Sequence, residues 1–143
     1  MNEADTGLSP CFIDTNIWLY AFVDDEKSGK SSLAKLLIQN KPSIYLSTQV
    51  INEACVNLLR RARFSEQQIT RLVDSWYSNY TVVELNRSVI LQASNLRQQY
   101  SFSFWDSLIV SSALHARASV LYSEDMQNGL VIDNRLKIIN PLT

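Results

Sequence analysis

Four short apolar runs separated by helical patterns hold this chain to an alternating α/β arrangement with a mainly parallel sheet. The runs are Cys11-Phe12-Ile13, Ile44-Tyr45-Leu46-Ser47, Thr81-Val82-Val83-Glu84-Leu85 and Ser119-Val120-Leu121-Tyr122. Residues 17–23 read as an apolar turn or short helix. Residues 28–40 carry Leu33, Leu36 and Leu37 among helix formers and read as a helix, broken by Pro42 and Ser43. Thr48 is placed to cap a helix to about Arg63, and Ser65 with Gln68 makes a capping-box pattern for another. Asn86 and Ser103 are placed to cap the last two helices. Asn128-Gly129 signals a turn before two short terminal strands near 130–132 and 137–139.

The 143 residues suit a single domain spanning 11–143, preceded by a flexible leader over 1–10 that lacks signal-peptide character. Cys11 and Cys55 both lie in apolar runs without metal-ligand spacing, which fits reduced cysteines in a cytoplasmic protein. No apolar run approaches the ~20 residues of a membrane span. Net charge is −1; setting aside four of the 14 acidic residues as ligands leaves ten against 13 basic ones, or +3. The remaining surface is then mildly basic, as a polyanion would require.

Those four acids are Asp14, Glu53, Asp106 and Asp125. Asp14 follows the first strand, and Glu53 lies in the first turns of the helix after the second. Asp106 opens the helix that returns to the fourth strand, and Asp125 lies just past that strand. Parallel strands share a carboxyl edge, and ligands bind there. Four carboxylates converging at one edge need a counter-charge, and a hard divalent cation supplies it. Parallelism of the second and fourth strands is assumed here. Asn57 lies one turn beyond Glu53 on the same helix face. Each acid also has a plainer reading: Asp106 as a helix-start cap, Asp125 as a turn residue, Glu53 as a solvated helix position.

Arg60, Arg61 and Arg63 cluster where the Glu53 helix ends, either as phosphate contacts for RNA or as a solvated helix end. Trp18, Trp76 and Trp105 are open to base stacking or core packing. The apolar helices near 17–22 and 33–38 either leave a groove for a partner peptide or pack into the core. The single histidine, His115, lies roughly 13 Å along its helix from Asp106, which removes a paired-histidine mechanism.

The segments Phe12-Ile13-Asp14-Thr15-Asn16, Ser47-Thr48-Gln49-Val50-Ile51-Asn52-Glu53, Phe104-Trp105-Asp106-Ser107-Leu108-Ile109 and Leu121-Tyr122-Ser123-Glu124-Asp125, in that order, resemble the PIN-domain ribonucleases. Among these they look like the VapC-type toxins of toxin–antitoxin pairs. The resemblance implies a Rossmann-like, three-layer fold with four to five sheet strands. It also implies an Mg²⁺- or Mn²⁺-dependent endoribonuclease, often a homodimer, held in check by an antitoxin. Asp14, Glu53, Asp106 and Asp125 would be its metal-binding acids, with Thr15, Asn16 and Ser123 in support. Glu124 adjoins Asp125 and competes for the fourth position. A catalytically silent PIN-like RNA- or protein-binding module is the main alternative. An aspartyl-phosphate enzyme fits poorly, because Asn16 stands where an Asp is wanted and Lys137 is the only lysine after Lys41.

Overall fold

Cys11, Phe12 and Ile13 are all buried, and burial on both faces marks a central strand rather than an edge. The computed structural model describes residues 9–23 and 27–143. Along them run β1 (Cys11–Ile13), α1 (Thr15–Phe22), α2 (Lys30–Asn40), β2 (Ile44–Ser47), α3 (Thr48–Arg61) and α4 (Glu66–Asn79). Then come β3 (Thr81–Val83), α5 (Arg87–Gln99), α6 (Phe104–His115), β4 (Val120–Tyr122), β5 (Val131–Ile132) and β6 (Leu136–Ile139). The leader expected over residues 1–10 lies outside the described residues up to Leu8. Pro10 is already tied down, its carbonyl accepting from Ser119 N–H at 3.0 Å.

The strands lie in the order β3-β2-β1-β4-β6-β5, and every neighbouring pair is parallel except β5 with β6. Six strands exceed the expected four to five, because both terminal strands join the sheet and β5 is only two residues long. β2 and β4 are parallel to each other because both flank β1. The chain winds outward from β1 through β2 to β3, then returns to the other side of β1. That reversal makes the β1–β4 boundary the switch point of the sheet, where a crevice opens beyond the strand ends.

Two helices fix the site from opposite sides. α6 is buried along Ser107–Leu114, as a helix between sheet and partner helix must be. Its serines stay compatible with burial by donating to carbonyls: Ser111 Oγ to Val89 O at 2.6 Å and Ser112 Oγ to Leu108 O at 2.9 Å. α1 is pinned through Trp18, whose Nε1–H donates to Ile13 O at 3.0 Å. Its ring meets Trp76 of α4 edge-on at 5.9 Å. Trp18 and Trp76 are thus core residues, not platforms for bases.

The capping box of α4 forms between Ser65 and Gln68 as expected, and Asn86 and Ser103 cap α5 and α6. The cap of α3 is Ser47, not Thr48. Ser47 keeps extended backbone angles and accepts from Val50 N–H, while the Thr48 hydroxyl accepts from Leu85 N–H at 3.3 Å. Ser47→Ala is expected to cost about 1 kcal/mol in urea unfolding.

Candidate functional site

Asp14 stands where the backbone leaves β1 and α1 begins. It is the N-cap of α1: its Oδ1 accepts from Thr15 N–H at 2.7 Å. Its own N–H donates to Tyr122 O at 3.0 Å, which ties it to the end of β4. Ser123, the next residue beyond β4, donates its hydroxyl to Asp14 Oδ2 at 2.9 Å. The carboxyl is therefore held on both oxygens at the switch point. Burial nonetheless pushes it up from 3.8 to about 6, the two hydrogen bonds opposing the shift and the charges of Glu53 and Asp106 adding to it.

Glu53 arrives from α3. Burial raises its carboxyl above the usual range, a hydrogen bond from Gln49 opposes this, and the Asp106 charge adds to the rise. Asp106 lies in the first turn of α6, the favourable end of that helix dipole. Asp14, Glu53 and Asp106 thus share one electrostatic neighbourhood built from three elements. Gln49, one turn before Glu53, donates its Nε2 to Glu53 Oε1 at 2.8 Å and to Trp105 O at 3.2 Å. This residue was not among those singled out from the sequence, although the four-residue spacing of Gln49 and Glu53 on one helix was there to be read.

Asp125 comes from the loop after β4. It is exposed, and Asn16 of α1 donates Nδ2 to its Oδ2 at 2.5 Å. Asp125 and Asp106 line a common cavity of about 420 Å³. Glu124 turns elsewhere: it accepts from Lys30 Nζ at 2.7 Å and from Tyr20 O–H at 2.8 Å. Asn16 and Tyr20, one turn apart on α1, therefore grip two consecutive acids of the loop. Of the two acids, Asp125 is the one that shares a cavity with Asp106.

Among the described residues no three His, Cys, Asp or Glu side chains stand close enough together to enclose an ion in this arrangement. The donor chemistry fits a hard divalent cation all the same. The trio are oxygen donors that repel one another, and two buried oxygens beside them, Thr15 Oγ1 and Gln49 Oε1, have no hydrogen-bond partner. Enclosing an ion therefore requires the carboxylates to close inward.

Of the three arginines named above, Arg61 lines a cavity of about 310 Å³ together with Asn16 and Asn57, whereas Arg60 and Arg63 are exposed at the helix end. Asn57 donates Nδ2 to Glu53 O at 2.8 Å. His115 stays at the far end of α6, between Ser88 Oγ at 3.0 Å and Ser111 O at 3.2 Å. No helix among the described residues is long and apolar enough to cross a membrane.

A family model for the PIN domain matches residues 11–127. No curated protein sequence matches the chain. Solved structures do match. A toxin–antitoxin complex from Klebsiella pneumoniae aligns with a TM-score of 0.70 at 19% identity, over 92% of this chain and 97% of that one. VapC20 of Mycobacterium tuberculosis, described as a sarcin-ricin loop cleaving toxin, aligns at 0.65 and 20% identity, over 80% and 89%. VapBC2 from Rickettsia felis, bound to a DNA fragment from its promoter, aligns at 0.62 and 20% identity, over 92% and 99%. At these identities the likeness is one of fold.

Proposed function

This chain belongs to the PIN-domain family, and from that premise we propose that it is a divalent-metal-dependent endoribonuclease acting as the toxin of a toxin–antitoxin pair. The observation that carries the reading is the shared field of Asp14, Glu53 and Asp106 at the switch point of the sheet. Asp14, Glu53, Asp106 and Asp125 are the acids that would hold Mg²⁺ or Mn²⁺. Such an ion, when bound, supplies Lewis acidity toward a phosphodiester and activates water.

The remaining roles fall to the chain itself. Ser123 and Thr15 N–H fix both oxygens of Asp14, Gln49 fixes Glu53, and Asn16 fixes Asp125. Arg61 offers a cation to a phosphate in the cavity next to Asn16. Orientation by such neighbours is worth about 10–100-fold in comparable sites. Gln49→Leu is accordingly expected to slow RNA cleavage by about 10–100-fold, read as initial rate on a single-stranded RNA with the unfolding midpoint as control.

A second concave surface suits the antitoxin. A cavity of about 200 Å³ is lined by Trp18 and Phe22 of α1, Ile38 of α2, and Leu72 and Trp76 of α4. The apolar face of a partner helix would fill this cavity. One solved relative is described as a toxin–antitoxin complex, which supports an antitoxin as partner. Association with a second copy is part of the same reading.

One observation favours the alternative of a catalytically silent binding module: among the described residues no three candidate ligands stand within reach of one ion. The deciding experiment is cleavage of total cellular RNA by the purified protein with Mn²⁺ and with EDTA, followed by mapping of the new ends. Specific new ends in Mn²⁺ alone are expected. Cleavage that persists in EDTA would sink the metal mechanism, and its absence in both would leave the binding module.

A further inference from the structure

We propose that the cavity beside Glu53 is a subsite for one unpaired RNA base, with the Trp105 indole as its stacking platform. The inference rests on the RNA-directed reading above and adds where a base sits. Trp105 is 61% exposed, whereas Trp18 and Trp76 are each 1% exposed. Exposing most of an indole at the start of a buried helix costs hydrophobic stabilisation that an apolar face would recover on contact. The ring is not loose: Phe104 meets it edge-on at 5.2 Å, and the Arg97 guanidinium lies over Phe104 at 4.6 Å.

The cavity next to it, about 490 Å³, is lined by Trp105, Leu85 and Val56 together with the amides of Gln49, Asn52 and Asn57, and by Glu53. No lysine or arginine lines it, so it is built for neither a phosphate nor a sulfate. Apolar surface for a flat ring, with the Asn52 amide and Asn57 Oδ1 still uncommitted, matches the face and edge of a nucleobase. Asn57 commits its Nδ2 to Glu53 O and keeps its Oδ1 for an outside donor. Gln49 couples the subsite to the acids, because one amide nitrogen serves both Glu53 Oε1 and Trp105 O; those two acceptors also settle which end of the amide is nitrogen. A second copy of the chain seated here would cover the Glu53 carboxylate and block the acids. A stacked base leaves that carboxylate open on the side of Asp106.

Fluorescence reads this directly, since Trp105 is the solvent-exposed tryptophan and the other two are buried. The probe is a 2′-O-methyl single-stranded hexanucleotide, which resists cleavage, added to the full chain in EDTA. Saturable quenching is expected. In polarisation with the same oligonucleotide 5′-labelled, W105A is expected to lose about ten-fold or more in affinity while W105F stays within a few-fold. W105A binding as tightly as wild type would overturn the subsite. So would a dimeric wild type that becomes monomeric in W105A by light scattering, since the ring would then be an interface residue. Because the oligonucleotide is not cleaved, the two readings fail separately. Binding that depends on Trp105 without any RNA cleavage sinks the nuclease; cleavage with unaltered W105A binding sinks only the subsite.

Discussion

Asp14→Asn is expected to make the metal-free protein more stable at neutral pH while lowering RNA cleavage by roughly 10²–10³-fold, the scale of one preorganised charged group. Both effects have one cause. Burial, less the hydrogen bonds from Thr15 N–H and Ser123 and plus the charges of Glu53 and Asp106, lifts the carboxyl from 3.8 to about 6. A group whose pKa is raised on folding contributes stability that is complete below its unfolded value and is lost as pH rises through its folded value. For Asp14 the loss runs from about pH 4 to just above pH 6. At pH 7.5 the charged carboxylate costs at most roughly 3 kcal/mol, and less in practice because part of it still faces solvent. Asn keeps one oxygen to accept from Thr15 N–H, its Nδ2–H donates to the Ser123 hydroxyl in place of accepting from it, and it carries no charge. Urea unfolding in EDTA should therefore show the variant well above wild type at pH 7.5, with the gap closing by pH 4.5. A variant less stable than wild type at pH 7.5 would show that the charge is not a burden on the fold.

What could be read from the sequence was mostly what the backbone decides. Asp14, Asp106 and Asp125 follow from strand ends and a helix start, and short connections leave those positions little freedom. Parallelism of β2 and β4 could only be assumed, because the link between them runs through β1, which precedes both in the chain. Ser47 and Thr48 are both good caps, and only the extended backbone at Ser47 decides between them. The side-chain arrangement was less accessible. That Glu124 turns toward Lys30 and Tyr20 depends on α2 and α1 lying against the loop after β4, a contact between residues 94 and 104 positions apart. The exposure of Trp105 and the burial of Trp18 and Trp76 likewise depend on which helix covers which face, and that is a tertiary choice with no local signal.

Divalent ions should restore what the buried charge costs. With Mn²⁺ at about 100 times its dissociation constant, the wild type is expected to gain roughly 2.7 kcal/mol of stability by mass action. The field linking Asp14, Glu53 and Asp106 predicts how the gain is shared. Asp14→Asn should remove most of it, since Asp14 feels both other charges; Glu53→Gln and Asp106→Asn should each remove a large part. Asp125→Asn should remove least, because Asp125 is exposed and already satisfied by Asn16. Below about pH 6 Asp14 holds a proton that an ion must displace, so the Mn²⁺-induced shift should shrink from pH 7.5 to pH 5. Unfolding midpoints for the four variants at two pH values and a range of Mn²⁺ concentrations measure all of this. Equal shifts in every variant, or a shift that does not depend on pH, would mean that Mn²⁺ binds elsewhere on the surface. In that case the crowded carboxylates would be a feature of the fold alone, and the stability gained in Asp14→Asn would carry no catalytic loss.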